Sequence, residues 1–172
     1  MLSGIATKTR EFVKQIDKYK VKVTDTRKTL PGLRELQKYA VRIGGGYNHR
    51  MSLDEMVLVK DNHFKVIGDE LWVMGLKEIK NKISPKIKME VEVKTLEEFK
   101  KVLKIEPSII MLDNMNIKNI KKAVKIRNNL SPKTYHLSPK LEASGGITLK
   151  NVRKFSSTGV YMISVGAITH SL

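Results

Sequence analysis

The sequence predicts an α/β fold built on a parallel sheet, open or closed into a barrel. Two patterns carry that expectation. Apolar runs of strand length alternate with amphipathic helical stretches along the whole chain, the order that a parallel sheet with helices on its faces requires. Each apolar run also ends in reactive or small residues: Asp25-Thr-Arg-Lys, Lys60-Asp-Asn-His, Glu92, Asp113-Asn, Ser144-Gly-Gly and Val165-Gly-Ala. In an α/β barrel the carboxyl ends of the strands converge on one face, so residues distant in sequence become one constellation there. The 172 residues, 41% of them hydrophobic, are enough for one domain with its own core.

The elements follow in order. Residues 3–18 read as a helix with Ile5, Phe12, Val13 and Ile16 on one side and Ser3 as its cap. Strands are expected at 20–26, 56–61, 88–93, 108–114, 139–146 and 160–166. Helices fall between them at about 32–42, 69–83, 95–104, 116–129 and 148–157. There is no internal repeat and no long linker. Pro31-Gly32 turns the chain after the first strand and leaves Arg27 and Lys28 at its end. Gly44-Gly45-Gly46 is read as structural, letting the chain fold back and present His49 and Arg50. His63 is read as a strand-end hydrogen-bonding residue. Glu90, two residues before Glu92, points to the same side of its strand and lies deeper, where a lysine would pair with it. The glycines that end the last two strands suit a phosphate site, where backbone N–H groups must approach an anion closely.

Charge narrows the partners. The net charge of +16 comes from 33 basic and 17 acidic residues, an excess that attracts polyanions. Its distribution argues against nucleic acid. The lysines of "KEIKNKISPKIK" and "NIKNIKKAVKIR" recur at helical spacing between isoleucines, the pattern of a solvated helix face. Aromatic residues make up 6%, without the basic–aromatic interleaving that stacks bases. The excess suits drawing in a heavily phosphorylated small substrate. No apolar run reaches the roughly 18–20 residues of a membrane span. The amino end lacks a signal-peptide pattern and there are no cysteines. Together these point to the cytoplasm and exclude disulfides and thiolate catalysis.

The ordered motifs "DTRKTLPGLRELQKYAVRIGGGYNHR", "LVKDNH", "EVEV", "IIMLDN", "EASGGI" and "SVGAITHS" resemble quinolinate phosphoribosyltransferase, and the match runs from "LSGIAT" to "THS". The resemblance implies an incomplete, seven-stranded type of α/β barrel and a homodimer or higher assembly with the active site at the interface. It implies that quinolinate and phosphoribosyl pyrophosphate, with magnesium, give nicotinate mononucleotide, pyrophosphate and carbon dioxide. Arg27, Lys28, His49, Arg50 and Lys60 would hold the quinolinate dianion, with bidentate arginine forks suited to carboxylates. Glu92 and Asp113 would hold the ribose hydroxyls and Mg²⁺, directly or through water, and with Lys60 form the catalytic set. Ser144, Gly145, Gly146, Gly166 and His170 would cradle the 5′-phosphate.

Members of that family are longer. By resemblance they begin with an α/β sandwich domain of about 100 residues, the size of a small domain. That domain supplies an arginine to the partner's active site, and residues 1–18 match the helix that leads out of it. Residues 1–172 are therefore expected to form the barrel domain alone, active with a sandwich domain supplied separately or catalytically incomplete without one. The paralogue found with molybdenum-transport operons is also similar; "LVKDNH" favours quinolinate phosphoribosyltransferase over it.

Overall fold

A computed structural model describes residues 1–60, 69–130 and 139–170. The elements run α1 (Leu2–Gln15), β1 (Lys22–Thr24), α2 (Arg34–Ile43), β2 (Met56–Val59), α3 (Asp69–Lys82), β3 (Lys88–Val93) and α4 (Leu96–Leu103). They continue with β4 (Ile109–Asp113), α5 (Ile117–Leu130), β5 (Lys140–Ser144), α6 (Val152–Ser156), β6 (Met162–Ser164) and α7 (Ala167–His170). The strands form one six-stranded sheet in the order β1-β6-β5-β4-β3-β2, and every pairing is parallel. A further parallel bridge joins Tyr47 to Thr24 on the free side of β1.

Several strands are shorter than their apolar runs. β4 stops at Asp113 because Asn114 adopts a left-handed φ of 52°. β5 stops at Ser144 because Gly145 and Gly146 take φ of 93° and 60°. Those backbone reversals turn strand ends into loops that face the mouth. Ser3 does not cap α1: the helix starts one residue earlier, with Met1 as its N-cap, and Ser3 lies exposed inside it. Thr95 and Glu98 form a reciprocal capping box that fixes the start of α4. His63 lies outside the described residues, as do Asp61 and Asn62.

Alternation along the strands sorts the side chains into two sets. Val91, Val93, Ile110, Leu112, Leu141, Ala143 and Ile163 are buried in the core cluster with Phe99, Val102, Ile120, Trp72, Leu76, Val152 and Ile168 of the helices. Glu90, Glu92, Met111, Asp113, Glu142 and Ser144 occupy the alternate positions. The ligand atoms of Glu90 on β3, Glu142 on β5 and His49 lie within 4.8 Å of one another, so the sheet curls around them. Lys77, Lys80, Lys82, Lys118, Lys121, Lys122 and Lys125 are exposed along α3 and α5, as the helical spacing requires. Among the described residues no helix is long and apolar enough to cross a membrane.

Gly44 and Gly46 let α2 close onto α1. A Cβ on Gly44 would lie 2.5 Å from the Ala6 carbonyl oxygen and 2.6 Å from Thr9 Cβ, and one on Gly46 2.7 Å from Thr9 Cγ2. Neither neighbour can yield, since Thr9 is fully buried and its hydroxyl donates to the Ile5 carbonyl at 2.7 Å. Gly44→Ala is expected to cost about 1–3 kcal/mol by overpacking. A denaturant midpoint that falls without a change in slope would show it.

Candidate functional site

A cavity of about 820 Å³ opens at the carboxyl ends of the strands. The candidate site residues read from the sequence all line it: Arg27, Lys28, His49, Arg50, Lys60, Glu92, Asp113, Ser144, Gly145, Gly146, Gly166 and His170; Asp25, at the end of β1, is buried and does not. They arrive from β1, the segment after α2, and the ends of β2 to β6.

The cationic side is built by a buried clamp. Lys38 on α2 donates through Nζ to Asp25 Oδ1 at 2.6 Å and to the His49 carbonyl at 2.8 Å. Asn48 Nδ2 donates to Asp25 Oδ2 at 2.6 Å, and the His49 amide donates to Asp25 Oδ1 at 2.8 Å. Both members of the ion pair are buried, at 1% and 0% side-chain exposure. Burial pushes the Asp25 carboxyl up and the Lys38 ammonium down, each partly offset by the other. The clamp fixes the backbone from which His49 and Arg50 project. It was missed in the sequence because one more lysine in a basic helix reads as surface. The available signal was spacing: Lys38 lies three residues before buried Val41, on the inner stripe of α2.

Arg50 Nη1 donates to the Met56 carbonyl at 2.7 Å, across the gap between the segment at 47–50 and β2. Burial lowers its pKa, and the Arg27 charge lowers it further. Arg27 Nε and Arg50 Nε are both buried without a hydrogen-bond partner among the described residues. Two guanidinium groups near enough to repel, with unfilled donors, suit an anionic ligand.

Below them lies a charged floor. His49 Nε2 is 2.9 Å from Glu90 Oε2 and 3.6 Å from Glu142 Oε2, an ion-pair contact rather than an aligned hydrogen bond. Both carboxylate side chains are fully buried. Glu90 is thus paired with a histidine, not with the expected lysine, because the 47–50 segment reaches under the mouth. Burial alone would lower the His49 pKa; the neighbouring Glu142 and Glu90 reverse this and hold it at about 10. Burial, then the charge of Glu142, raises the Glu90 pKa. These three residues lie close enough to share a metal ion, but the ring nitrogen already engages a carboxylate. Glu142 was missed, although the alternation that singles out Glu90 beside Glu92 applies equally to Glu142 beside Ser144.

The opposite side of the mouth is backbone. Asn151 Nδ2 donates to the Gly146 carbonyl at 2.9 Å, and its Oδ1 accepts from the Thr148 amide at 2.8 Å. Asn114 donates its amide to the Ser144 carbonyl at 2.9 Å and lays its side chain against Gly145. Gly166 leaves room for the His170 ring and the Lys28 stem: a Cβ there would lie 3.1 Å from His170 Nε2 and 3.6 Å from Lys28 Cδ. Thr169 Oγ1 donates to the Lys28 carbonyl at 2.6 Å, tying the end of β1 to α7. Lys28 therefore stands between the arginines and the glycines. Glu92 and Asp113 line the cavity from adjacent strands, both partly exposed, and Asp113 Oδ2 accepts from Asn114 Nδ2 at 2.8 Å.

Comparison with known proteins gives a consistent picture. Residues 5–172 match the family model described as quinolinate phosphoribosyl transferase, C-terminal domain. The chain is 44% identical over 171 residues to a nicotinate-nucleotide pyrophosphorylase [carboxylating] of Mycobacterium leprae, covering 99% of the chain and 57% of that protein. It is 44% identical over 173 residues to a probable enzyme of the same name from Methanocaldococcus jannaschii, covering 60% of it. The solved nicotinate-nucleotide pyrophosphorylase of Francisella tularensis superposes with a TM-score of 0.84 at 42% identity, covering 99% of the chain and 57% of that structure. The chain thus spans somewhat more than half the length of these relatives.

Proposed function

The chain belongs to the quinolinate phosphoribosyl transferase C-terminal-domain family, and from that membership we propose that it is the barrel part of an enzyme that transfers a phosphoribosyl group to quinolinate. The products are nicotinate mononucleotide, pyrophosphate and carbon dioxide. The observation that carries the reading is one cavity that holds arginines at one side and a glycine cradle at the other. Those are the two ends that a dicarboxylate and a sugar phosphate need.

Arg27 and Arg50 take the quinolinate carboxylates, using donors that are otherwise unfilled. His49 and Lys60 add positive charge, and Lys28 bridges toward the phosphate side. Ser144, Gly145, Gly146 and Gly166 offer backbone and hydroxyl donors to the 5′-phosphate, with His170 beside them. Glu92 and Asp113 fit a magnesium ion that keeps most of its waters: two hard carboxylates on adjacent strands suffice where substrate oxygens complete the shell. Magnesium, when bound there, offsets charge on the departing pyrophosphate. The same carboxylates hold the ribose hydroxyls and face the positive charge that grows on the ribose carbon. The protein holds the pyridine nitrogen in line with that carbon, so the chemistry needs no covalent protein nucleophile. Alkylation makes the ring cationic, and the ring cation stabilises the carbanion left when the neighbouring carboxylate departs as carbon dioxide.

We read the curled sheet, with the segment at 47–50 lying between β1 and β2, as the family's incomplete barrel. We also read residues 1–172 as one domain that works in a dimer and draws a further arginine from a sandwich domain.

Two measurements test this. Nicotinate mononucleotide formation from the two substrates and Mg²⁺ is expected to be weak with this chain alone and restored when a relative's sandwich domain is supplied. Arg27→Ala is expected to weaken quinolinate binding by roughly 10–100-fold, the loss of one charge-assisted bidentate contact, while phosphoribosyl pyrophosphate binding changes little. Equal loss of both ligands in calorimetry would overturn the assignment.

A further inference from the structure

The buried floor carries an inference that rests on the proposed quinolinate pocket but can be tested apart from it. Three charges meet there. Glu90 comes from β3 and Glu142 from β5, both side chains fully buried, and His49 lies against both with 8% of its side chain exposed. Neither carboxylate accepts a hydrogen bond from any other described group. Two buried carboxylates without a counter-charge would be strongly unfavourable: burial and the charge of Glu142 raise the Glu90 pKa to about 7, and the imidazole lying against both supplies a cation in contact with them. Its backbone cannot swing away, because the amide is bound by Asp25 and the carbonyl by Lys38.

The other charged groups that face this cluster do not replace it. Arg50 interacts with Glu90 over a longer range, but its Nη1 is committed to the Met56 carbonyl. Arg27 lines the cavity above, and Asp25 is already neutralised by Lys38. His49 and Glu142 both reach the cavity wall, so the charge on the ring is felt by whatever occupies the mouth.

We infer that Glu142, together with Glu90, is a positioning residue that keeps His49 a fixed imidazolium in the cavity floor, so the dicarboxylate pocket retains this buried cation throughout the neutral pH range. A lone histidine would lose most of its charge above pH of about 6.5. Held between two carboxylates, it behaves as a permanent cation at the cost of two buried acids.

The direct readout is the titration of His49 in the intact chain by NMR of the ring protons. The chain has four histidines, and the resonance is assigned by its loss in His49→Gln. In the native chain no inflection is expected below about pH 9, in keeping with a pKa of about 10. In Glu142→Gln an inflection should appear between about pH 6 and 8. Across that range quinolinate affinity should fall roughly tenfold further in the variant than in the native chain, as His49 loses the proton. A native His49 that titrates near its ordinary value would overturn the inference. So would a folded Glu142→Gln chain that titrates like the native one. The native titration does not use the Glu142→Gln chain, so a misfolded Glu142→Gln chain leaves the test decisive. If the titrations are as expected but quinolinate does not bind at any pH, the functional assignment fails and the positioning role stands.

Discussion

Lys38→Met is expected to lower the unfolding free energy by about 3–5 kcal/mol, the range for breaking a buried ion pair from one side. The methionine fills the volume, so the loss is not mainly a cavity. It is the Asp25 carboxylate left among buried groups with its main counter-charge gone. Asp25 would keep the Asn48 and His49 donors, at 2.6 and 2.8 Å, but neither carries charge at those atoms. The carboxyl would then take up a proton more readily, because burial already pushes its pKa up before Lys38 is removed. A proton there removes one acceptor lone pair from a group that uses both oxygens. The His49 amide or the Asn48 side chain would lose its partner, and the 47–50 segment would loosen. Chemical denaturation at neutral pH measures the cost. Pairing Lys38→Met with Asp25→Asn should recover part of it, since the second change removes the uncompensated charge. A single-variant loss under about 1 kcal/mol would mean the pair is not what holds the segment.

That clamp also shows where sequence reading stops. The strands and helices were legible because their periods are local: alternation in "KMEVEV" and the spacing of lysines between isoleucines need only a few neighbours. The mouth was legible for the same reason, because strand ends converge in any parallel barrel. Asp25 and Lys38 were not. Each is ordinary in its own window, and only the packing of α2 against the end of β1 turns them into a pair. Seven strands were expected by family resemblance and six are described, with Tyr47 making a single bridge beside β1. A lone bridge has no apolar run to announce it. Asn114 was visible only as part of a strand end, and Asn151 escaped notice, because their work is on groups of other loops. His49 was visible as a candidate cation, but its partners come from β3 and β5, far along the chain.

Gly145→Ala is expected to abolish most of the phosphoribosyl pyrophosphate affinity, by roughly 100-fold or more, while leaving quinolinate binding largely intact. Two causes act together. The residue sits at φ of 93°, outside the region an alanine occupies without strain, which costs about 1–3 kcal/mol. The new Cβ would also collide with the Asn114 side-chain amide. Asn114 cannot simply retreat: it is itself at φ of 52°, its amide donates to the Ser144 carbonyl, and its side chain donates to Asp113. Relief of the clash must therefore move either the glycine loop or the Asp113 carboxylate. Both belong to the same proposed ligand, one at its phosphate and one at its ribose hydroxyls and magnesium. Gly146→Ala separates the causes. Its Cβ meets nothing within 4 Å, so it carries backbone strain at φ of 60° without a collision. If the steric coupling to Asn114 is what matters, Gly146→Ala should lose clearly less affinity than Gly145→Ala. Adding Asn114→Ala to Gly145→Ala should return part of the phosphate affinity but not the Asp113 contact. Calorimetric titration of each variant with phosphoribosyl pyrophosphate and Mg²⁺ decides it. Equal affinities for the two glycine variants would show that backbone strain alone sets the effect, and that Asn114 plays no part in shaping the cradle.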